Sequence, residues 1–477
     1  MYIQFIAVLI ILSSVGWFLV SYRISNRLFN VLSVYIAFFV LHNCVHSIHE
    51  AFGGAYRHHP WITATADDWY NVALFNLLGL NAFCVGYLLV SRRIQFAELL
   101  NSTGSKGILV PPAWLETIAF SMTSYTLFQA LIADNSIYGA NQANSASEAF
   151  SPLGTLMLLR IGIMLVALAL RKAAGQTKLP NYYLVWILME IACDFLKGGR
   201  KGIVLAFIGV ACVWLFTRPI HVRNCVRICS IIVVVLACCV FISTARNYFG
   251  QTESRLGLVQ VAMNDSEKLQ KTFEKIIFSS SSEGVQAWTS NIYLTQNESM
   301  MYGRTYAQAL TNVVVPRPAQ GPVVHWQAAY AFKQRAYPGV TNMGFDYSFS
   351  AEAIQNFGHM AWMVHAFAGV FLGLLARNSK RSFFCGFLVL FYVASTSIYL
   401  RTDSTGFFRM WLTPVFIVYV MHLLVQYVRA ANTSTQESAL PRGGHIFLNS
   451  TLNVMERERD LFLMQENNNS DIHYSNR

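Results

Sequence analysis

The chain has 477 residues, of which 54% are hydrophobic and only 12% charged, with a mean hydropathy of +0.40. Soluble proteins carry about 25% charged residues, so a string of water-soluble domains is excluded, as are a disordered basic protein and, by default, a soluble nucleic-acid-binding protein. Yet 35 Lys and Arg stand against 24 Asp and Glu, and a net charge of +11 needs an explanation in a chain this apolar.

A helix that crosses about 30 Å of hydrocarbon needs about 20 mostly apolar residues, with its backbone polar groups paired internally. About eleven segments meet or approach this, at residues 3–20, 28–48, 69–90, 113–133, 153–170, 180–195, 202–216, 226–244, 351–376, 383–399 and 406–428. The first lacks a basic leader and a small-residue cleavage pattern, so it reads as a retained span rather than a signal peptide. The sixth and seventh are short and would also suit a re-entrant hairpin. The expected fold is an all-α polytopic membrane protein with transmembrane helices 1–8 in residues 1–244, a large external loop in 245–350, helices 9–11 in 351–428, and a tail in 429–477.

Loops of one parity hold Arg23 and Arg27; Arg92, Arg93 and Lys106; Arg171, Lys172 and Lys178; Arg218, Arg223 and Arg227; and Arg377, Lys380 and Arg381, with Glu98 as their acid. Loops of the other parity are acidic or neutral, with Glu50, Asp67 and Asp68 against Arg57, then Asp134 and Glu148. The positive-inside rule therefore places the N-terminus outside and the C-terminus in the cytoplasm. The polar tail has one amphipathic stretch at 446–464. Within the long loop, 256–278 has helical periodicity with Lys268, Lys271 and Lys275 on one side, and turn signals follow at Gly303, Pro316 to Pro318, Pro338 and Gly344. A loop of this length is usually functional. All nine cysteines fall in or beside predicted helices, and their spacing matches no disulfide, zinc or redox pattern.

Positive charge outside runs against the topological bias. The turn between the sixth and seventh helices reads Lys197-Gly-Gly-Arg200-Lys201-Gly202. A helix N-terminus opening at glycines and flanked by bases is a phosphate-binding arrangement. Arg246, Arg255, Arg304, Arg317, Lys333, Arg335, Arg401 and, inside the last helix, Arg409 add to the basic set. Arg suits a diphosphate because its planar fork binds two oxygens at once. Lys197, Arg200, Lys201, Arg246, Arg317, Arg401 and Arg409 are the expected diphosphate ligands.

Charges within spans are costly unless paired or working. Arg160 in the fifth helix and Glu190 with Asp194, four apart on the sixth, read as a structural pairing between neighbours. His42, His46 and His49, with Asn43, share a face of the second helix and read as packing or cavity lining rather than a metal site, since no acid or cysteine completes the shell. Aromatic residues crowd 284–349, among them Trp288, Tyr293, Tyr302, Tyr306, Trp326, Tyr330 and Tyr337, suited either to a loop core or to sugar faces. Trp288, Tyr306, Trp326, Tyr330 and Asn356 are the expected sugar contacts. Acid–base candidates are Glu352 and Asp346, which flank the start of the ninth helix, and His325, whose ordinary pKa suits base work near neutrality. Caps and first-turn acids are the structural alternative for the two carboxylates.

The Lys197 to Gly202 turn, the stretch from Gly303-Arg-Thr-Tyr306 to Val315-Pro-Arg-Pro318, and Ser350-Ala-Glu-Ala-Ile-Gln-Asn-Phe-Gly358 together resemble the Wzy-type polymerases of O-antigen and related oligosaccharide repeat units, over about residues 1–430. His359, and the lack of a second glycine near 361, depart from the family's last motif. The resemblance implies a GT-C-like glycosyltransferase of lipopolysaccharide biosynthesis in the bacterial inner membrane. It would join undecaprenyl-diphosphate-linked repeat units at the outer face with no cofactor or metal. A chain-length regulator and a flippase would be its pathway partners, and no nucleic acid. An O-antigen ligase, transferring the glycan to lipid A core, and a lipid-linked oligosaccharide flippase or other transporter are the alternatives.

Overall fold

The computed structural model describes residues 2–25, 30–52, 64–91, 112–132, 152–173, 178–197, 201–214, 222–246, 263–278, 281–314, 347–379 and 382–408, with isolated positions as far as 423. Among them there is no strand and there are fifteen α-helices. These are α1 (Tyr2–Ser25), α2 (Val31–Asn43), α3 (Val45–Ala51), α4 (Ala66–Ser91), α5 (Pro112–Ile132), α6 (Pro152–Ala173), α7 (Tyr182–Lys197), α8 (Lys201–Trp214) and α9 (Val222–Arg246). In the long connection lie α10 (Ser266–Phe278), α11 (Ser281–Ser290), continued by a π turn at Asn291–Thr295, and α12 (Arg304–Val314); then follow α13 (Phe349–Phe357), α14 (Trp362–Asn378) and α15 (Phe383–Tyr399). Of the amphipathic stretch expected at 256–278, residues 263–278 are described, and the stretch expected at 446–464 lies outside the described residues. What is described of the first begins as a helix at Ser266, where the Asp265 carboxylate caps the Lys268 N–H at 2.9 Å.

Among the described residues, α1 and α4 are long and apolar enough to cross a membrane, and the bent pair α13 and α14 would make a third crossing. α5, α6 and α9, of 21, 22 and 25 residues, lie at three more of the eleven expected positions. The described helices in several of the other places are short, 16 residues in α7 and 14 in α8.

Two expected spans are broken. The second helix stops at Cys44 and restarts as α3. The Asn43 carbonyl freed at the break accepts from Asn76 Nδ2, while the His46 and Ser47 N–H groups, the first-turn orphans of α3, donate to Glu283 of α11. The expected helix over 351–376 is instead α13, a single 3-10 turn and α14, bent by 115°. The break falls at Gly358, with φ +54° and ψ −124°, a conformation that an L side chain rarely adopts.

The centre of the bundle is the α4–α14 crossing. Gly369 and Gly373, four apart on α14, sit against the Phe83 and Tyr87 carbonyls of α4, and Gly86 of α4 faces Val370 N, where an added Cβ would lie at 3.2 Å. Small residues at this spacing let membrane helices approach backbone to backbone. Tyr35 of α2 stacks on Phe83 with ring centroids 3.4 Å apart, and its hydroxyl meets His365 Nδ1 at 3.3 Å. Gly369→Val should therefore force the helices apart and cost about 2 kcal/mol. Gly16→Val, whose Cβ meets nothing within 4 Å, should change little; thermal unfolding in detergent reads both.

Within the bundle, Arg160 of α6 forms a forked pair with Glu190 of α7, Nε to Oε1 at 2.8 Å and Nη2 to Oε2 at 2.6 Å, and Thr123 of α5 donates to Glu190 Oε1 at 3.0 Å. The three helices are thus tied by one buried carboxylate. A second buried carboxylate, Glu116 of α5, accepts from Arg171, Tyr182 and Tyr183 and ties α5, α6 and α7 again.

Candidate functional site

Buried carboxylates also fasten the α11–α12 part of the long connection onto the bundle. Glu283 accepts from His46 N at 2.6 Å and from Ser47 Oγ at 2.8 Å. Asp68 of α4 accepts Asn291 Nδ2 and Thr295 Oγ1, both at 2.9 Å. The third is Glu352 of α13, with no exposed surface. Its Oε1 accepts Thr305 Oγ1 at 2.5 Å and Ser404 Oγ at 2.6 Å, and its Oε2 accepts the Ser404 N–H at 2.6 Å. Three segments separated by about fifty residues each therefore meet at one side chain.

The junction is completed by the C-terminal end of α13, whose orphan carbonyls need donors. A tight turn supplies them: Met301 N–H donates to Gln355 O, Tyr302 N–H to Asn356 O, and Gly303 N–H to Asn356 Oδ1 at 3.0 Å. The turn is possible because Gly303 takes φ +81°, and it holds Tyr302 at φ +45°, unusual for a non-glycine residue. Asn356 Nδ2 spends both protons on Thr305 Oγ1 and Glu352 O. Gln355 is likewise engaged by Tyr293 and Tyr347. The Gly303 to Tyr306 stretch and the Ser350 to Gly358 stretch, which carried the family resemblance separately, are thus joined directly.

Of the expected sugar contacts, Asn356 lies in this junction with both donors used, and Trp288 packs edge-on against Phe332 in a core that includes Tyr293 and Tyr347. Tyr306 stacks on Phe357, ring centroids 6.2 Å apart, and its buried hydroxyl has no hydrogen-bond partner among the described residues. Burial and the neighbouring Glu352 push its phenol well above its usual pKa, so it stays a neutral donor. Arg401 sits in the turn after α15, three residues before Ser404, and is partly exposed.

The basic turn at 197–202 differs from the expected anion site in one respect. The Ile203 N–H at the start of α8 is already taken, donating to Asp194 Oδ2 at 2.9 Å, and an added Cβ at Gly202 would sit 3.0 Å from the same carboxylate. Asp194 therefore supplies the anion that complements this helix N-terminus, and binding of a ligand there would fall to side chains. Those of Lys197, Lys201 and Arg246, and the whole of Arg200, Arg317, Arg409, His325, Asp346, Trp326 and Tyr330, lie outside the described residues. The histidine face of α2 is split by the Cys44 break: His42 meets Ser397 Oγ at 2.9 Å, whereas the His46 ring packs on Trp69 at 4.3 Å.

Ser404 and Asp403 meet Glu352 at this junction although no expected motif contained them, and Thr305 lay within the Gly303 to Tyr306 stretch without being singled out. Asp403 is buried beside Glu352, and its Oδ1 accepts the Gly406 N–H at 2.9 Å. The available signal was the Thr402-Asp403-Ser404-Thr405-Gly406 run ahead of an apolar stretch, a helix-start pattern.

A helical bundle with glycine-lined crossings, lipid-length apolar helices and buried ion pairs defines an integral membrane protein. The family model for O-antigen polysaccharide polymerase Wzy matches residues 1–431, and the chain belongs to that family. No curated protein and no solved structure matches it.

Proposed function

We propose that this protein polymerises undecaprenyl-diphosphate-linked oligosaccharide repeat units into O-antigen or a related surface polysaccharide, at the outer face of the bacterial inner membrane. The family membership supports the polymerase role, and one observation supports a site at the external junction: Glu352 gathers the Gly303 to Tyr306 turn, the α13 start and the Arg401 to Ser404 turn at a single point.

In the reaction, a hydroxyl of one lipid-linked unit attacks the anomeric carbon of the chain carried on a second lipid diphosphate. The new glycosidic C–O bond forms as the anomeric C–O bond to the diphosphate breaks. The diphosphate leaves with the bonding electron pair, and the hydroxyl gives up its proton. Charge grows on the leaving oxygen, so preformed cations aimed there lower the barrier more than an acid would. Lys197, Arg200, Lys201, Arg246, Arg317, Arg401 and Arg409 are the proposed cationic set. Three donors already occupy the Glu352 oxygens, which suits a carboxylate that holds elements together, and the proton then falls to Asp346 or His325.

Tyr306→Phe tests the sugar side. Because the hydroxyl has no hydrogen-bond partner among the described residues, its loss should leave stability within about 0.5 kcal/mol, while polymerisation slows if the group meets a sugar. Deleting the gene tests the whole reading: surface glycan should collapse to single repeat units still attached to lipid A core. Complete loss of attached glycan would indicate a ligase instead.

A further inference from the structure

We propose that Thr305 and Ser404 are positioning residues for polymerisation, locking Glu352 in one orientation and thereby fixing their neighbours Arg304 and Arg401 as a pair that takes the lipid diphosphate. The inference rests on the polymerase reading above and adds two residues to which no role was assigned from the sequence.

The hydrogen-bond directions are determined, because each group has a fixed donor capacity. The Gly303 N–H can only donate, so the Asn356 oxygen faces it and the Asn356 nitrogen faces Thr305. Thr305 Oγ1 therefore accepts at 2.7 Å from Asn356 and has its one proton left for Glu352 at 2.5 Å. On the other side Ser404 grips both Glu352 oxygens, by its N–H and by its hydroxyl, each at 2.6 Å. Thr305 is 6% exposed, Ser404 3% and Glu352 0%, so water does not compete for these bonds.

A carboxylate held at three points cannot rotate toward a substrate without releasing one of them. It can, however, fix the distance between the two elements that hold it. Arg304 precedes Thr305 at the start of α12, and Arg401 lies one turn before Ser404. The two arginines come from positions 97 residues apart, and Glu352 binds Thr305, next to the first, and Ser404, three residues after the second. The bound lipid diphosphate presents two phosphoryl groups before any bond breaks, so an arginine on each of two elements held at a constant separation matches it better than either alone, and the pair acts on substrate binding.

The test uses the full-length protein in lipid vesicles with a synthetic undecaprenyl-diphosphate repeat unit as substrate. Thr305→Val and Ser404→Ala should each raise KM about tenfold, as loss of a buried hydrogen bond that positions a binding group predicts, with kcat within about twofold. Thr305→Ser and Ser404→Thr, which keep the hydroxyl, should restore KM, and this separates positioning from misfolding. A fall in kcat at constant KM would overturn the proposal and make Glu352 a group acting on the reacting atoms. Unchanged KM and kcat in both hydroxyl-deleted variants, or failure of both conservative variants to restore KM, would also overturn it. If the unaltered protein extends no chain, the polymerase reading itself falls and takes the proposal with it.

Discussion

Replacing Glu352 by alanine should abolish polymer formation and destabilise the protein by about 3 kcal/mol, since a buried donor left unpaired costs about 1–3 kcal/mol and three donors lose their acceptor together. The Thr305 hydroxyl and the Ser404 N–H and hydroxyl would all lose their acceptor. Glu352→Gln keeps the shape and one acceptor oxygen, but turns an NH₂ toward a donor, so it should fall between alanine and the native residue. Glu352→Asp is one methylene short of bridging α12 and the Ser404 turn, and should resemble alanine in activity more than in stability. Thermal unfolding in detergent, with the glycan ladder of a complemented deletion strain, reads both quantities.

The second large effect is expected where function is not involved. Glu190→Leu strands the Arg160 guanidinium inside the bundle, and removing one partner of a buried ion pair costs about 3–5 kcal/mol. Arg160→Met should cost a similar amount. The double variant removes the pair as a unit and should recover most of the loss, because two well-packed apolar side chains are often as stable as a buried ion pair. Thr123, which also donates to Glu190, is exposed to the same change and can turn to its own helix backbone. Additive losses in the double variant would contradict the pairing.

How much of this was legible in the residues varies with the range of the interaction. Apolar length marks α1 and α4 directly, and the expected partnership of Arg160 with the Glu190 helix follows from the cost of an unpaired ion in hydrocarbon. The breaks were not legible. Cys44 interrupts the second helix because Glu283, more than 230 residues later, takes the N–H groups of α3. Gly358 could have been read as an ordinary membrane-helix glycine, and only its positive φ reveals the bend. The glycine-rich basic turn pointed to an anion at the start of α8. An anion is there, but it belongs to Asp194, nine residues earlier on the preceding helix. Glu352 was singled out as an acid at the start of a helix on the membrane boundary, whereas the roles of Thr305 and Ser404 become visible only when 47- and 52-residue separations are closed in space.

The most direct measurement is to incubate the purified protein in lipid vesicles with one defined undecaprenyl-diphosphate repeat unit and resolve the products by size. A ladder spaced by single repeats, lost in Glu352→Ala, is the predicted result. Absence of any product longer than one repeat, or transfer that occurs only when lipid A core is added, would contradict it.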